Sequence, residues 1–158
     1  MKRLRMITFA STIAASAVGA SAQTGPDATF SLKGYALGAD MASCPAGFTT
    51  RKSGAKTLCG SPSQTLAGQP VEVFLINLYR GKVIGVAAAG VENPRDVTQA
   101  LVSKFGEPTT SNPEANEYAW TRGGHALVVK PYSSTTAIVA VKDFAAYDAV
   151  KAEDAKDL

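Results

Sequence analysis

His125, the one histidine of the sequence, is the first residue to consider for catalysis. A Ser-His-acid hydrolase needs a nucleophile beside the histidine and an acid that orients it. The sequence has no G-x-S-x-G motif, and the Gly123-Gly124 pair places His125 at the start of a predicted strand, where we expect it to be exposed. We therefore predict no catalytic residues and keep a small periplasmic hydrolase as an alternative.

Cys44 and Cys59 are the two cysteines of the chain, and three uses of such a pair are a disulfide, a redox centre and a metal site. Their spacing is not C-x-x-C, and His125 alone does not complete a set of metal ligands. An oxidising compartment favours a bridge between them. The sequence predicts a structural disulfide, no metal and no cofactor.

Aromatic and arginine side chains form the candidate binding surface. Tyr118, Trp120 and Arg122 alternate along one predicted strand and so share one of its faces. His125 and Tyr132 lie near the adjoining turns. Aromatic residues and arginine anchor protein interfaces more often than other types do. In a second interpretation Tyr118 and Trp120 pack under a helix, with Arg122 at the rim.

The N-terminal segment has the three parts of a cleavable secretion signal. Three positive charges precede a weakly apolar run from Met6 to Gly19, which ends in Ala20-Ser21-Ala22. This pattern predicts a signal peptide over 1–22, with cleavage after Ala22, and a flexible leader over 23–29. The run is too short and too polar for a membrane span. We expect a periplasmic or secreted protein without an integral membrane anchor.

Removal of the predicted signal peptide changes the charge of the chain. Its three cations leave with it, so 13 of the 16 Lys and Arg residues remain against 13 Asp and Glu residues. A formally neutral protein has no general electrostatic attraction for nucleic acid. The partner that we predict is another envelope protein.

The clearest element of the mature chain is a helix over 93–106. Asn93 is a candidate N-cap, Pro94 fits the first helical position, and Gly106 and Pro108 predict the end. Four apolar residues at helical spacing form one stripe between these signals. They are Val97, Ala100, Leu101 and Phe105.

Apolar, β-branched segments separated by glycine-containing turns predict the strands. They are 71–79 with 82–87, 118–122 with 125–130, and a last strand over 137–141.

Less regular structure is expected elsewhere. Asp40 is a candidate cap for a short N-terminal helix, and 46–70 is expected to be irregular apart from an edge strand over 57–60. We predict a single α+β domain over 30–143 with a twisted antiparallel sheet. The helix over 93–106 and the short N-terminal helix are expected to pack on one face of that sheet. A tail or short helix follows over 144–158.

Several short motifs resemble those of small exported bacterial proteins of unassigned function. They are Phe30-x-Leu32-Lys33-Gly34 with Leu37-Gly38, Tyr79-Arg80-Gly81-Lys82-Val83, Lys104-Phe105-Gly106-Glu107-Pro108, and Tyr118-x-Trp120. Their layout is similar to β-lactamase-inhibitory-protein-like modules and to the small outer-membrane-assembly-lipoprotein-like module, although the lipidation cysteine is missing. The resemblance implies a non-catalytic protein-binding domain that acts as an inhibitor, an adaptor or an envelope-assembly accessory. A small-ligand-binding protein is the alternative.

Overall fold

The computed structural model describes residues 30–155 of the chain. The predicted signal peptide (1–22) and leader (23–29) lie outside the described residues, as do 156–158. The described part contains an eight-stranded antiparallel sheet, a separate two-stranded sheet and two helices. The predicted α+β class with an antiparallel sheet is therefore confirmed.

The main sheet is built from hairpins. The element bounds are β1 Ser31–Leu32, β2 Tyr35–Ala36, β3 Thr49–Ser53, β4 Lys56–Leu66, β5 Gln69–Tyr79, β6 Lys82–Val91, α1 Pro94–Phe105, β7 Thr110–Asn112, β8 Glu117–Arg122, β9 His125–Pro131, β10 Ala137–Asp143 and α2 Phe144–Asp154. The spatial order of the main sheet is β3-β4-β5-β6-β10-β9-β8-β7. After β6 the chain passes through α1 to the far edge, and β10 returns to pair with β6.

The predicted hairpins are confirmed, with strands slightly longer than expected. Their turns have two consecutive residues at positive φ, Arg80 (50°) with Gly81 (75°) and Gly123 (53°) with Gly124 (80°). Two-residue turns of this kind match the twist of the strands that they join.

The prediction of irregular structure over 46–70 is wrong. β3 and β4 form a hairpin there, and β4 pairs with β5 along most of its eleven residues. The Gly, Ser and Pro residues of β4 disfavour a strand by themselves. Pairing with the strongly apolar β5 outweighs that local preference.

The prediction of a short N-terminal helix is also wrong. Asp40 forms a β-bridge with Lys82, and the Met41 amide donates to the carbonyl of Gly81 at 2.7 Å. The Asp40 carboxylate accepts from Lys82 Nζ at 2.8 Å and caps no helix. The backbone therefore stays extended because its hydrogen bonds go to the turn between β5 and β6.

The helix predicted over 93–106 is confirmed as α1. Val97, Leu101 and Phe105 are its buried residues. Asn93 does not cap the helix with its side chain, which instead donates to Gln69 Oε1 at 2.8 Å. Gly106 ends α1 at a φ of 81°.

The hydrophobic core lies on the first face of the sheet, beneath α1 and Phe30. Alternate strand residues point to this face, and the largest fully buried side chains among them are Trp120, Phe74, Ile76 and Leu127. The Phe30 ring packs edge-on against Phe105 of α1, with centroids 5.4 Å apart.

The second face carries α2, which crosses the strands near one end of the sheet. It begins at Asp143 of β10, whose carboxylate accepts from the Ala146 amide at 3.0 Å. It ends at β4, where Asp154 Oδ2 lies 2.6 Å from Lys56 Nζ. Neither α1 nor α2, the helices of residues 30–155, has the length and apolar character of a membrane-crossing helix.

Side chains of α2 hold the helix to the sheet. Burial raises the pKa of Tyr147 above its ordinary value. Glu153 accepts a hydrogen bond from the Tyr79 hydroxyl, which raises the pKa of Tyr79 and lowers that of Glu153. Glu153 also pairs with Arg80 at 3.1 Å. The contacts of α2 therefore extend across the sheet from β10 to β4.

We expect Gly85→Ala to loosen α2, because a Cβ at Gly85 would lie 2.6 Å from the Tyr147 hydroxyl oxygen and 3.1 Å from its ring. Hydrogen exchange read by mass spectrometry should show faster exchange over 144–154. Gly60→Ala is the matched control, since its Cβ would lie no closer than 3.2 Å to its neighbours. Equal protection of 144–154 in both variants would contradict the docking of α2 on Gly85.

Candidate functional site

Two residues of the predicted binding surface hold the end of α1. Trp120 is 1% exposed, and its Nε1 donates to the carbonyl of Gly106 at 2.7 Å. Arg122 Nη2 donates to the carbonyl of Phe105 at 2.5 Å. These bonds satisfy carbonyls at the negative end of the helix dipole. Trp120 is therefore a core residue beneath α1, as in the second interpretation of the sequence, and it is not part of an exposed surface.

The other three residues of the predicted surface lie apart from one another. Tyr118 is half-buried and packs against the core beside α1. His125 begins β9, and Tyr132, which is 52% exposed, follows its other end. The five residues Tyr118, Trp120, Arg122, His125 and Tyr132 consequently do not form one continuous surface.

His125 forms an acid-histidine pair with Asp143, with 3.6 Å between Nε2 and Oδ2. Asp143 also caps α2, so its carboxylate already has a structural role. No serine, threonine or cysteine within 30–155 forms a hydrogen bond with the His125 ring, so the pair has no nucleophile positioned beside it. Across the same residues no three His, Cys, Asp or Glu side chains converge as a metal site would require.

The predicted disulfide between Cys44 and Cys59 is confirmed. Cys59 is buried on β4, where it pairs with Thr50 of β3 and Ile76 of β5. Cys44 lies in the loop that leads into β3. The bond therefore ties this loop to the sheet close to the β3 edge.

A cleft of about 540 Å³ lies between α1 and β8. Val102, Tyr118 and Val129 contribute apolar surface to it, and Arg95 and Glu107 bring opposite charges. Its volume is in the range of small-molecule sites. Tyr118 is the one residue of the predicted binding surface that lines it.

The second face of the sheet has an apolar region that α2 leaves uncovered. One row of apolar side chains crosses five neighbouring strands, and a shorter row of apolar side chains lies beside it. The first row is Ala119, Val128, Ala140, Ala87 and Leu75, and the second is Ile138, Ala89 and Val73. All of these except the buried Ala89 are partly exposed. We call these eight residues the open face.

The residues that α2 contacts form another row on the second face, two positions along each strand from the first row of the open face. That row includes Gly85, which faces Tyr147, and Asn77, which lines a small cavity with Tyr147 and Val150. A solvated face of an antiparallel sheet is normally polar. A continuous apolar region on such a face is typical of an interaction site.

No protein-family model, curated protein or solved structure matches this chain. The family resemblance, the exported location and the envelope partner therefore stay predictions. The functional interpretation depends on the surfaces of this chain itself.

The open face was missed in the sequence, although β6 carries a signal for it. Val83 to Val91 is an almost unbroken run of apolar and small residues, and nine of the ten residues of β6 are buried or partly buried. A strand whose apolar residues point to both faces of a sheet is normally covered on both faces. α1 and the core account for one face of β6, while α2 covers only a part of the other.

Proposed function

We propose that this protein is an exported, non-catalytic domain that binds another protein through the open face. The main support for the proposal is the row of apolar side chains from Ala119 on β8 to Leu75 on β5. No described element covers this row. Burial of such a surface against a partner is favourable in proportion to the apolar area that it removes from water.

The chemistry of the open face favours a macromolecular partner. Its central residues, Ala87 and Ala140, are small, so a partner's backbone or flat apolar side chains can approach the sheet closely. The two residues are directly paired across β6 and β10. Small ligands prefer concave sites that enclose most of their surface, whereas a row across five strands suits a broad protein interface.

The cleft beside α1 supports the second candidate, a small-ligand-binding protein. Arg95, Thr98 and Gln99 are polar residues of its lining, beside the apolar Val102 and Val129. A few polar groups around an apolar lining are characteristic of ligand pockets. This cleft lies on the face of the sheet opposite to the open face, so the two candidates are separable by mutation.

The proposed location and partner follow from the predicted signal peptide and from the disulfide. A bridge between Cys44 and Cys59 is compatible with an oxidising compartment. We propose that the protein works in the periplasm or outside the cell, and that its partner is another envelope protein. The family resemblance favours an inhibitor, an adaptor or an assembly accessory.

We expect Ala87→Lys to weaken capture of the partner by more than about tenfold, because the interface would have to bury an unpaired charge. The bait is the oxidised mature protein (residues 23–158), and the partner is quantified by mass spectrometry after affinity capture from a periplasmic extract. Thr121→Lys is the matched control, since it adds the same charge at an exposed position of β8 outside the open face.

Both variants must first show wild-type melting by circular dichroism. A partner retained by Thr121→Lys and lost by Ala87→Lys supports the proposal. Equal capture by the two variants, or no specific capture by the wild-type protein, contradicts it. Thermal stabilisation of the protein by the low-molecular-mass fraction of the same extract would then favour the cleft.

A further inference from the structure

The β3 strand forms an open edge of the main sheet. Within the part of the chain that the structure describes, β3 pairs with β4 on one side and with no strand on the other. All five of its residues are exposed. In an antiparallel strand, alternate residues direct their N–H and C=O groups away from the paired neighbour. The edge therefore presents backbone donors and acceptors to solvent.

The β3 edge is positively charged, although the mature chain is formally neutral. Arg51, Lys52 and Lys56 lie between positions 41 and 71, a stretch with no Asp or Glu. Lys56 is paired with Asp154. Arg51 and Lys52 form no salt bridge with any residue of 30–155, so both cations are available to a partner at the edge.

The two cations lie on opposite faces of the sheet because consecutive strand residues alternate. Arg51 pairs with Leu58 and so belongs to the second face, while Lys52 pairs with Thr57 and belongs to the first. An incoming strand with two consecutive acidic residues would place one carboxylate on each face. Opposite charges on neighbouring strands stabilise such a pair.

A second copy of this chain does not suit the same edge. Pairing of two β3 strands would bring the Arg51 and Lys52 side chains of both copies together, and like charges on neighbouring strands are destabilising. The other edge, β7, is only three residues long and offers a shorter ladder. The charge of β3 therefore selects an acidic partner strand.

We infer that β3 accepts an extended acidic segment of another protein as an added strand. Backbone hydrogen bonds to β3 would hold the segment, as in other cases of strand addition. Arg51 and Lys52 would select its charge and its register. This edge is separate from the open face, and the inference does not depend on the function proposed for that face.

The test uses the oxidised, ¹⁵N-labelled mature protein and three blocked synthetic peptides. The acidic probe is Thr-Val-Glu-Glu-Val-Thr, whose two glutamates project to opposite faces of a strand. One control replaces both glutamates with lysine. The other keeps the glutamates but carries N-methyl groups on the alternate amides that would face β3. These groups remove the N–H donors and block close strand pairing, and they leave the charge unchanged. Amide chemical shifts report the binding position.

We expect the acidic probe to move the amide resonances of 49–53 in a saturable manner, and the lysine peptide to leave them unchanged. Arg51→Glu with Lys52→Glu should weaken binding of the acidic probe by at least about tenfold. The matched control, Lys104→Glu on α1 with Lys130→Glu on β9, makes the same change in net charge at exposed positions away from β3. It should alter affinity by less than about twofold.

Three results would overturn the inference. One is equal binding of the acidic and N-methylated peptides, which would show attraction by charge alone. Another is a set of shifts located away from 49–53. The third is the absence of any shift at millimolar peptide, which would assign Arg51 and Lys52 to the protection of an edge against aggregation.

Discussion

Trp120→Ala is expected to lower the free energy of unfolding by about 3–5 kcal/mol, the range for truncation of a large buried aromatic side chain. Trp120 is 1% exposed and lies in the core cluster with Leu127 of the neighbouring strand and Leu101 of α1. The variant would lose this packing and also the hydrogen bond from Nε1 to the Gly106 carbonyl. Urea unfolding followed by circular dichroism measures the effect.

Two further variants provide a comparison and a control for this loss of stability. Trp120→Phe keeps an aromatic ring and removes the donor, so we expect a smaller cost than for alanine, including about 1 kcal/mol for the hydrogen bond. Tyr132→Ala removes an aromatic side chain that is 52% exposed, and should change stability by no more than about 0.5 kcal/mol. Similar losses for Trp120→Ala and Tyr132→Ala would show that the core is misplaced.

Trp120 also shows why a strand pattern did not identify a binding surface. Alternation correctly put Tyr118, Trp120 and Arg122 on one face of β8. Which face meets solvent depends on where α1 docks, and that position is set by contacts between residues far apart in the sequence. Arg122 reaches the carbonyl of Phe105, seventeen positions earlier in the chain. Local sequence signals contain no information on such a contact.

The elements predicted correctly are those with strong local signals. α1 has Pro94 at its start, Gly106 at its end and an apolar stripe between them, and the hairpins have paired turn residues with positive φ. β4 lacks such signals because its Gly60-Ser61-Pro62 sequence disfavours a strand. Asp40 has the chemistry of a helix cap, yet its backbone bonds to the turn between β5 and β6. In both cases tertiary hydrogen bonds outweigh local preference.

Of the candidate sites, only the disulfide followed from the sequence, because two cysteines allow one pairing. The open face depends on strand order: Ala119, Ala87 and Leu75 become part of one row only when β10 inserts between β6 and β9. That insertion is a long-range pairing, which the spacing of apolar residues along the chain does not specify. The charge of the β3 edge is visible in the sequence, but the edge position of β3 is not.

Replacing both cysteines with alanine is the second large effect that we expect. The two residues are 15 positions apart, and loss of a bridge that closes such a loop costs about 3 kcal/mol in the chain-entropy model. Thermal unfolding of Cys44→Ala with Cys59→Ala measures the change. Unmodified protein treated with a reducing agent is the matched control, and it should show a similar loss.

The same double variant distinguishes the two proposed interaction surfaces. The disulfide holds the loop before β3 against β4, so its removal should release the β3 edge and weaken binding of the acidic peptide. The open face is built on β5, β6, β8, β9 and β10, which keep their pairing without the bridge. Capture of the proposed partner should therefore persist wherever the variant is folded. Loss of partner capture by a folded variant would place the partner on the β3 side of the sheet and not on the open face.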